Sequence, residues 1–549
     1  MDQLAQDYIS EWIEFYPTRA FAAGHLDSAH RFESISRERI KSWVEFNQAA
    51  LTSLEALPIE QTADEGADAD LLRRQILDEL DRWGEGRSLE ASPMYYVGLV
   101  SQALTHILAR DDLEPEDKFK AIEARLAGIR TVCAQGTLLL KDGRPRTTER
   151  SIPVLEASAR FLETNLVQIA GEWTDDPLPE TFVIQCEGAA DDVRTLAAHI
   201  QQRILPAASL PDSMGRRDYA KKLEIFTGTN MTPEELAKIS LQEIKEVRGL
   251  MQELAGAYWI KQYPRLDVPE DFSILVGKAI DDMEENRESN QQDFLRLFEG
   301  LIGRAEEFLR DHEIATLPAE KTLFTALSPS HFAGAAFGGV YAAGPFNPGA
   351  KTLFYLPTIP DDASEEAKEG FYRSFNNHFN TMIITHEIFP GHYMQSKIVS
   401  TNPHLVRALF SDGLYVEGWA TLCEVITLDA GWNGSNPLDR LAHLRKRLEN
   451  ATRSYTSVQV HCLGWGQKEV ARFAEEEGLL APQFALNLWD RVTGSPLQLV
   501  SYFLGFRKFT KLLEQERARL GTDFNLRDFS DAVLTAGAVS IDRLPDFIR

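Results

Sequence analysis

The chain has 549 residues, more than a single hydrophobic core ordinarily supports, so two or more lobes are expected. Acidic residues outnumber basic ones, 83 to 57, and the formal charge of -26 repels nucleic-acid phosphates and anionic membrane surfaces. No basic stripe offsets that field, so neither nucleic acid nor membrane is expected as a partner. With 44% hydrophobic and 26% charged residues, the composition is that of an ordinary folded, soluble protein. The opening residues Met1 to Asp7 show no positive region followed by an apolar run, which makes the cytoplasm the expected address. Cys133, Cys186, Cys423 and Cys462 lie far apart and form no CxxC pair, so they read as buried free thiols.

Amphipathic helices dominate residues 1 to 215. Ile40, Trp43, Val44, Phe46 and Leu51 recur at helical intervals, as do Leu71, Leu72, Ile76, Leu77 and Leu80. This region reads as scaffold and one wall of a cleft, and residues 216 to 549 as the catalytic region. Met231-Thr232-Pro233-Glu234-Glu235 is a helix start, with Thr232 and Glu235 forming a capping box around Pro233. Long helices are predicted from there to about residue 312. The texture then changes. Ser330 to Tyr341 is rich in small residues, Gly344 to Gly349 is turn-like, and Thr352 to Pro357 is β-prone, which predicts one or two strands. They are either an ordinary hairpin over the core or a sheet edge pairing with an extended substrate, near Tyr341 and Tyr355. After Pro360 one long helix is predicted, capped by Asp362 and running through Phe371, Phe375, Phe379 and Ile383.

That helix leads into His386-Glu387-Ile388-Phe389-Pro390-Gly391-His392. A helical H-E-x-x-H places two imidazoles one turn apart on a metal, with the glutamate beside its bound water. Here the second histidine comes two residues late, about 240° around a regular helix from the first. Pro390 has no N–H to give the carbonyl of residue 386, and Gly391 tolerates unusual dihedrals. Together they provide the means to break the helix and swing His392 back. Tyr415 to Glu424 then reads as an apolar helix carrying two carboxylates on one face, Glu417 and Glu424. Buried carboxylates need a cation or a donor. One would bind metal and the other would hold a ligand histidine from behind. His25, His199 and His443 carry no motif and read as incidental.

Three ordered motifs resemble the bacterial family called domain of unknown function 885. They are His386-Glu387-x-x-Pro390-Gly391-His392-x-x-Gln395, Glu417-Gly418-Trp419-Ala420 and Pro496-x-Gln498-x-x-x-Tyr502-x-x-Gly505. The resemblance implies a mainly α, two-lobed fold like the helical zinc metallopeptidases of the carboxypeptidase Taq, thimet oligopeptidase and angiotensin-converting enzyme group. A small β-sheet would lie at the cleft. Those enzymes follow H-E-x-x-H with a glutamate roughly 25 residues on, the place of Glu417, and dipeptidyl peptidase III has a similarly lengthened ligand helix. The segment Ala451 to Tyr455 departs from relatives, which tend to be more acidic there, and that bears on the substrate side of the cleft.

The expected reaction is zinc-dependent hydrolysis of a peptide or small amide. Zn2+ is held by His386, His392 and Glu417, with Glu424 behind a ligand histidine and Glu387 as general base. By resemblance Tyr502 and His461 stabilise the oxyanion, and Arg507 is a candidate for a substrate carboxylate. A packed core tyrosine and a structural salt bridge compete with the roles of Tyr502 and Arg507. Two rival readings are a non-catalytic binding protein on a peptidase-like scaffold and an amidohydrolase of small non-peptide amides. Neither the substrate nor the oligomeric state is legible.

Overall fold

Helices follow one another because apolar residues recur every three or four positions and the starts are capped. The helix Pro233–Gln262 shows both. Thr232 Oγ1 accepts from the Glu235 N–H at 3.2 Å while the Glu235 carboxylate accepts from the Thr232 N–H at 2.8 Å, the predicted capping box. The computed structural model describes residues 1–548 apart from 59–61, 85–87, 111 and 329–338. The small-residue run from Ser330 to Gly338 therefore lies outside the described residues.

The protein is mainly helical with one small sheet. Its strands are β1 (Leu323–Leu327), β2 (Gly339–Tyr341) and β3 (Thr352–Leu356). The order is β1-β3-β2, with β3 parallel to β1 and antiparallel to β2. Sequence predicts one or two strands; the additional one, β1, is a half-exposed run whose partner lies 29 residues later in the register Leu323 to Thr352.

The long helix predicted after Pro360 is two helices. The first, Glu365–Ser374, is capped by Ser364 rather than Asp362. A second cap, Asn376, then starts α1 (Asn377–Glu387), accepting from the Phe379 N–H at 3.0 Å. Four more helices frame the site: α2 (His392–Val399), α3 (Gly413–Asp429), α4 (Pro437–Leu463) and α5 (Gln498–Leu520).

Buried hydrophobic residues from Tyr8 to Ile548 merge into one contiguous core, with a smaller cluster around Val470, Leu488 and Val492 beside it. Among the described residues, that core draws side chains from both sides of residue 215. Ion pairs tie the first 215 residues to the rest: Arg74 to Asp412 at 2.6 Å, Arg407 to Asp68 at 2.6 Å and Arg146 to Asp490 at 3.1 Å. The Arg74 pair holds the cap of α3, because Asp412 Oδ1 accepts from the N–H groups of Leu414 and Tyr415. Among the described residues no helix is long and apolar enough to cross a membrane.

Candidate metal centre

The helix break falls where Pro390 and Gly391 predict it. α1 ends at Glu387, the Phe389–Pro390 peptide is cis, and α2 begins at His392. Gly391 cannot be replaced without movement, since an added Cβ would lie 1.7 Å from the His386 carbonyl oxygen and 2.6 Å from that of Thr385. The chain thus doubles back against the last turn of α1. His386 and His392 meet with ring centroids 4.8 Å apart and planes at 87°. Trp419 of α3 pins the break from outside, its indole N–H donating to the Pro390 carbonyl at 3.0 Å.

Glu417 arrives from α3. Its Oε2 lies 3.4 Å from His392 Nε2 and 3.8 Å from His386 Nε2. One ligand atom from each of the three residues falls within 4.8 Å of the others. α3 can stand this close to α5 because two glycines meet at the crossing. A Cβ on Gly418 would be 2.5 Å from the Gly505 backbone, and one on Gly505 would be 2.2 Å from the Leu414 carbonyl oxygen. That contact sets Tyr502 of α5 beside the triad. Its ring lies nearly parallel to that of His386 at 6.4 Å, and its hydroxyl accepts from the Gln498 amide at 3.3 Å.

Behind the triad, Glu424 joins two histidines. Its Oε1 accepts from His386 Nδ1 at 2.8 Å and its Oε2 from His443 Nδ1 at 2.7 Å. A carboxylate can only accept, so the His386 proton sits on Nδ1 and the Nε2 lone pair faces Glu417 and His392. His443 is therefore part of the assembly, contrary to its reading as an incidental residue. No sequence spacing relates it to His386, and only the packing of α4 on α1 brings the two to one carboxylate.

The electrostatics separate the two ligand candidates. Burial, reinforced by His392, pushes His386 down to about 4, so the ring is neutral at pH 7. Burial also works against charge on His392, but the hydrogen bond and charge of Glu417, helped by Glu387, raise it to about 9. Glu417 goes the other way. Burial would raise it, yet the contact with His392 holds it below the usual carboxylate range. Burial, then the nearby Glu417 charge, keeps the Tyr502 phenol protonated well above its ordinary value. Glu387 ends α1 half-buried, close enough for its charge to act on His386, His392 and Tyr502. Two imidazole nitrogens and one carboxylate form a donor set suited to a borderline cation such as zinc.

The other site candidates are placed elsewhere. His461 is buried with both ring nitrogens engaged by backbone, Nδ1 accepting from the Met214 N–H at 3.3 Å and Nε2 donating to the Val492 carbonyl at 3.0 Å. It has no N–H left for an oxyanion. Arg507 is exposed and sits about 140° around α5 from Tyr502, so the structure does not bring it to the triad. Tyr355 lies on the central strand of the sheet, paired on both sides, rather than on an edge. Tyr341 is on edge strand β2, meets Tyr355 edge to face at 5.6 Å, and lines a cavity of about 230 Å³ shared with His106 and Lys351.

Fold and site together define a mainly helical protein with a His-His-Glu cluster built on a broken helix. The chain belongs to the family of bacterial proteins of unknown function DUF885, whose model matches residues 17–548. No curated protein matches it. Among solved structures it is similar to a "putative lipoprotein of unknown function" from Shewanella oneidensis, with a TM-score of 0.80 and 21% identity over 99% of this chain and 98% of that one. A "putative lipoprotein" from Colwellia psychrerythraea is similar with a TM-score of 0.79 and 18% identity, over 100% of this chain and 98% of that one. These names overturn the cytoplasmic address expected from the first residues, because the same fold is carried by proteins named as lipoproteins.

Proposed function

We propose that the protein is a metal-dependent hydrolase of peptide or amide bonds, with the fold type of the helical zinc metallopeptidases. The observation that carries this reading is the convergence of His386, His392 and Glu417 across a helix break, with ligand atoms within 4.8 Å of one another. Pro390 and Gly391 lie between the two helices, and the break they make brings the three ligand candidates onto one point. His386 and His392 would hold zinc through Nε2 and Glu417 through a carboxylate oxygen, while Glu424 fixes the His386 tautomer. Zinc held there would supply Lewis-acid polarisation and a bound water that ionises near pH ~7.

The chain's own groups complete the chemistry. Glu387, the residue after the first ligand, takes the proton of the attacking water and delivers it to the leaving amine. Tyr502, kept protonated, donates its O–H to the oxygen that becomes negative on the substrate carbonyl. His461, expected from the resemblance to share this task, has its N–H bonded to the Val492 carbonyl and takes no part.

The test has two stages. Purified protein loaded with zinc and dialysed should retain about one ion per chain by elemental analysis. It should also release free amines from a mixed peptide library, scored against a panel of small amides. A chain that retains no zinc at neutral pH, or turns over neither panel when loaded, would sink the proposal.

A further inference from the structure

The face of α4 that follows His443 carries charges the reaction above does not use. Lys446 and Arg453 are seven residues apart, so they share a face, with Glu449 between them. Glu449 pairs with Lys446 at 3.2 Å and with Arg453. One carboxylate thus serves two cations, with Glu424 also acting on Lys446. Arg453 is 6% exposed and donates from Nη1 to Asn450 at 3.4 Å, but its buried Nε has no hydrogen-bond partner. A buried, unmet guanidinium donor is costly to leave that way. The Arg453 charge acts on Tyr502 and on Arg491.

Arg491 stands on the helix Pro482–Gly494, which packs against α4, and lines a cavity of about 690 Å³ whose lining also includes Gln498, the partner of the Tyr502 hydroxyl. Arg144, Arg150 and Arg491 line it against Asp218 and Asp490. Asp490 is already paired with Arg146 and Arg150, while neither Arg144 nor Arg491 has an ion-pair partner among the described residues. In a chain of net charge -26, three arginines lining one cavity, Arg144, Arg150 and Arg491, run against the general field.

We propose that Arg453 and Arg491 form a carboxylate-binding subsite, so that the protein takes peptides or amides carrying a free carboxylate close to the bond attacked. Arg453 holds the carboxylate from the buried side through Nε, and Arg491 from the cavity side. The carboxylate belongs either to a chain terminus or to an acidic side chain. This deepens the hydrolase reading and rests on it for the word substrate. Arg507, the sequence's candidate for the same task, is on the wrong side of α5.

The test measures binding, so it does not depend on turnover. Acetyl-Ala-Ala-Ala, its C-terminal amide and acetyl-Ala-Glu-Ala amide are titrated calorimetrically into the full chain carrying Glu387→Gln. The titrations are run with zinc and again after chelation, which removes any carboxylate contact with the metal. The free acid or the glutamyl peptide should bind roughly 10- to 100-fold more tightly than the uncharged amide in both states, the ratio expected of a charge-assisted contact. Which of the two gains identifies the source of the carboxylate. Arg453→Met should remove most of the preference and Arg453→Lys should restore part of it. Arg491→Met, at an exposed position, should reduce the preference without risk to folding. Equal binding of all three peptides, no binding of any, or a preference that survives both methionine variants overturns the subsite. A preserved preference in a chain that neither keeps zinc nor hydrolyses anything would overturn the hydrolase reading alone.

Discussion

His386 and His461 invite comparison because so much about them is alike. Each lies in the last turn of its helix, each is almost fully buried, and burial pushes each down to about 4. They differ in what their nitrogens meet. His386 spends one N–H on Glu424 and presents a bare Nε2 to Glu417, whereas His461 has Met214 on one nitrogen and Val492 on the other. Burial and a lowered pKa therefore do not mark a ligand. Under the proposed reading, what sets the ligand apart is an uncommitted lone pair facing a carboxylate, which His386 has because Glu424 holds the tautomer.

The contrast can be broken most directly by metal analysis. His386→Ala should hold almost no zinc while His461→Ala holds about one ion per chain; equal zinc in both would end the distinction. Next in size is Glu387→Gln, which should keep the metal and lose roughly 10²- to 10⁴-fold in kcat, the range of a general base. Tyr502→Phe is expected to cost about 10²- to 10³-fold in kcat with little change in zinc affinity, as for loss of one oxyanion donor. A loss confined to KM would reassign Tyr502 to packing. Smaller again is Glu424→Gln. Its amide has one accepting oxygen for two histidine N–H groups, so either His386 or His443 loses its hold. Zinc affinity should fall by about 10- to 100-fold in competition with a chelator, and an unchanged affinity would mean the His386 tautomer does not depend on Glu424.

Much of this site is legible from the sequence and some is not, for physical reasons. Pro390 and Gly391 announce a break because their constraints are local, and α1 does stop at Glu387. The seven-residue spacing of Glu417 and Glu424 puts them on one face of any helix, and they face the triad and its support. The second break, at Phe375, is masked because Phe371, Phe375 and Phe379 keep a helical period across it, while the cap Asn376 looks like any polar residue. His443 and Arg453 depend on how α4 lies against α1 and α5, which no spacing within one helix encodes. Gly418 and Gly505 stand in the family motifs as letters without a role. Only the crossing of α3 and α5 shows that each is small to let the other's backbone approach.

The smallest effect expected sharpens the comparison from the other side, because it concerns what a histidine does when it is not a ligand. His461 joins three pieces of chain: it ends α4, stacks on Tyr219 at 5.6 Å, and bonds the backbone at Met214 and Val492. His461→Ala removes that ring and strands a donor at Met214 and an acceptor at Val492. Each stranded group costs about 1 to 3 kcal/mol where water cannot reach it. Water admitted to the space brings the total toward the low end, since Met214 also lines the cavity of about 690 Å³. The expected outcome is a lower midpoint of chemical denaturation with an unchanged slope, together with wild-type zinc content and wild-type kcat on any substrate found. A large loss of kcat at full zinc occupancy would return His461 to the reaction. It would also require the Val492 bond to open when substrate enters.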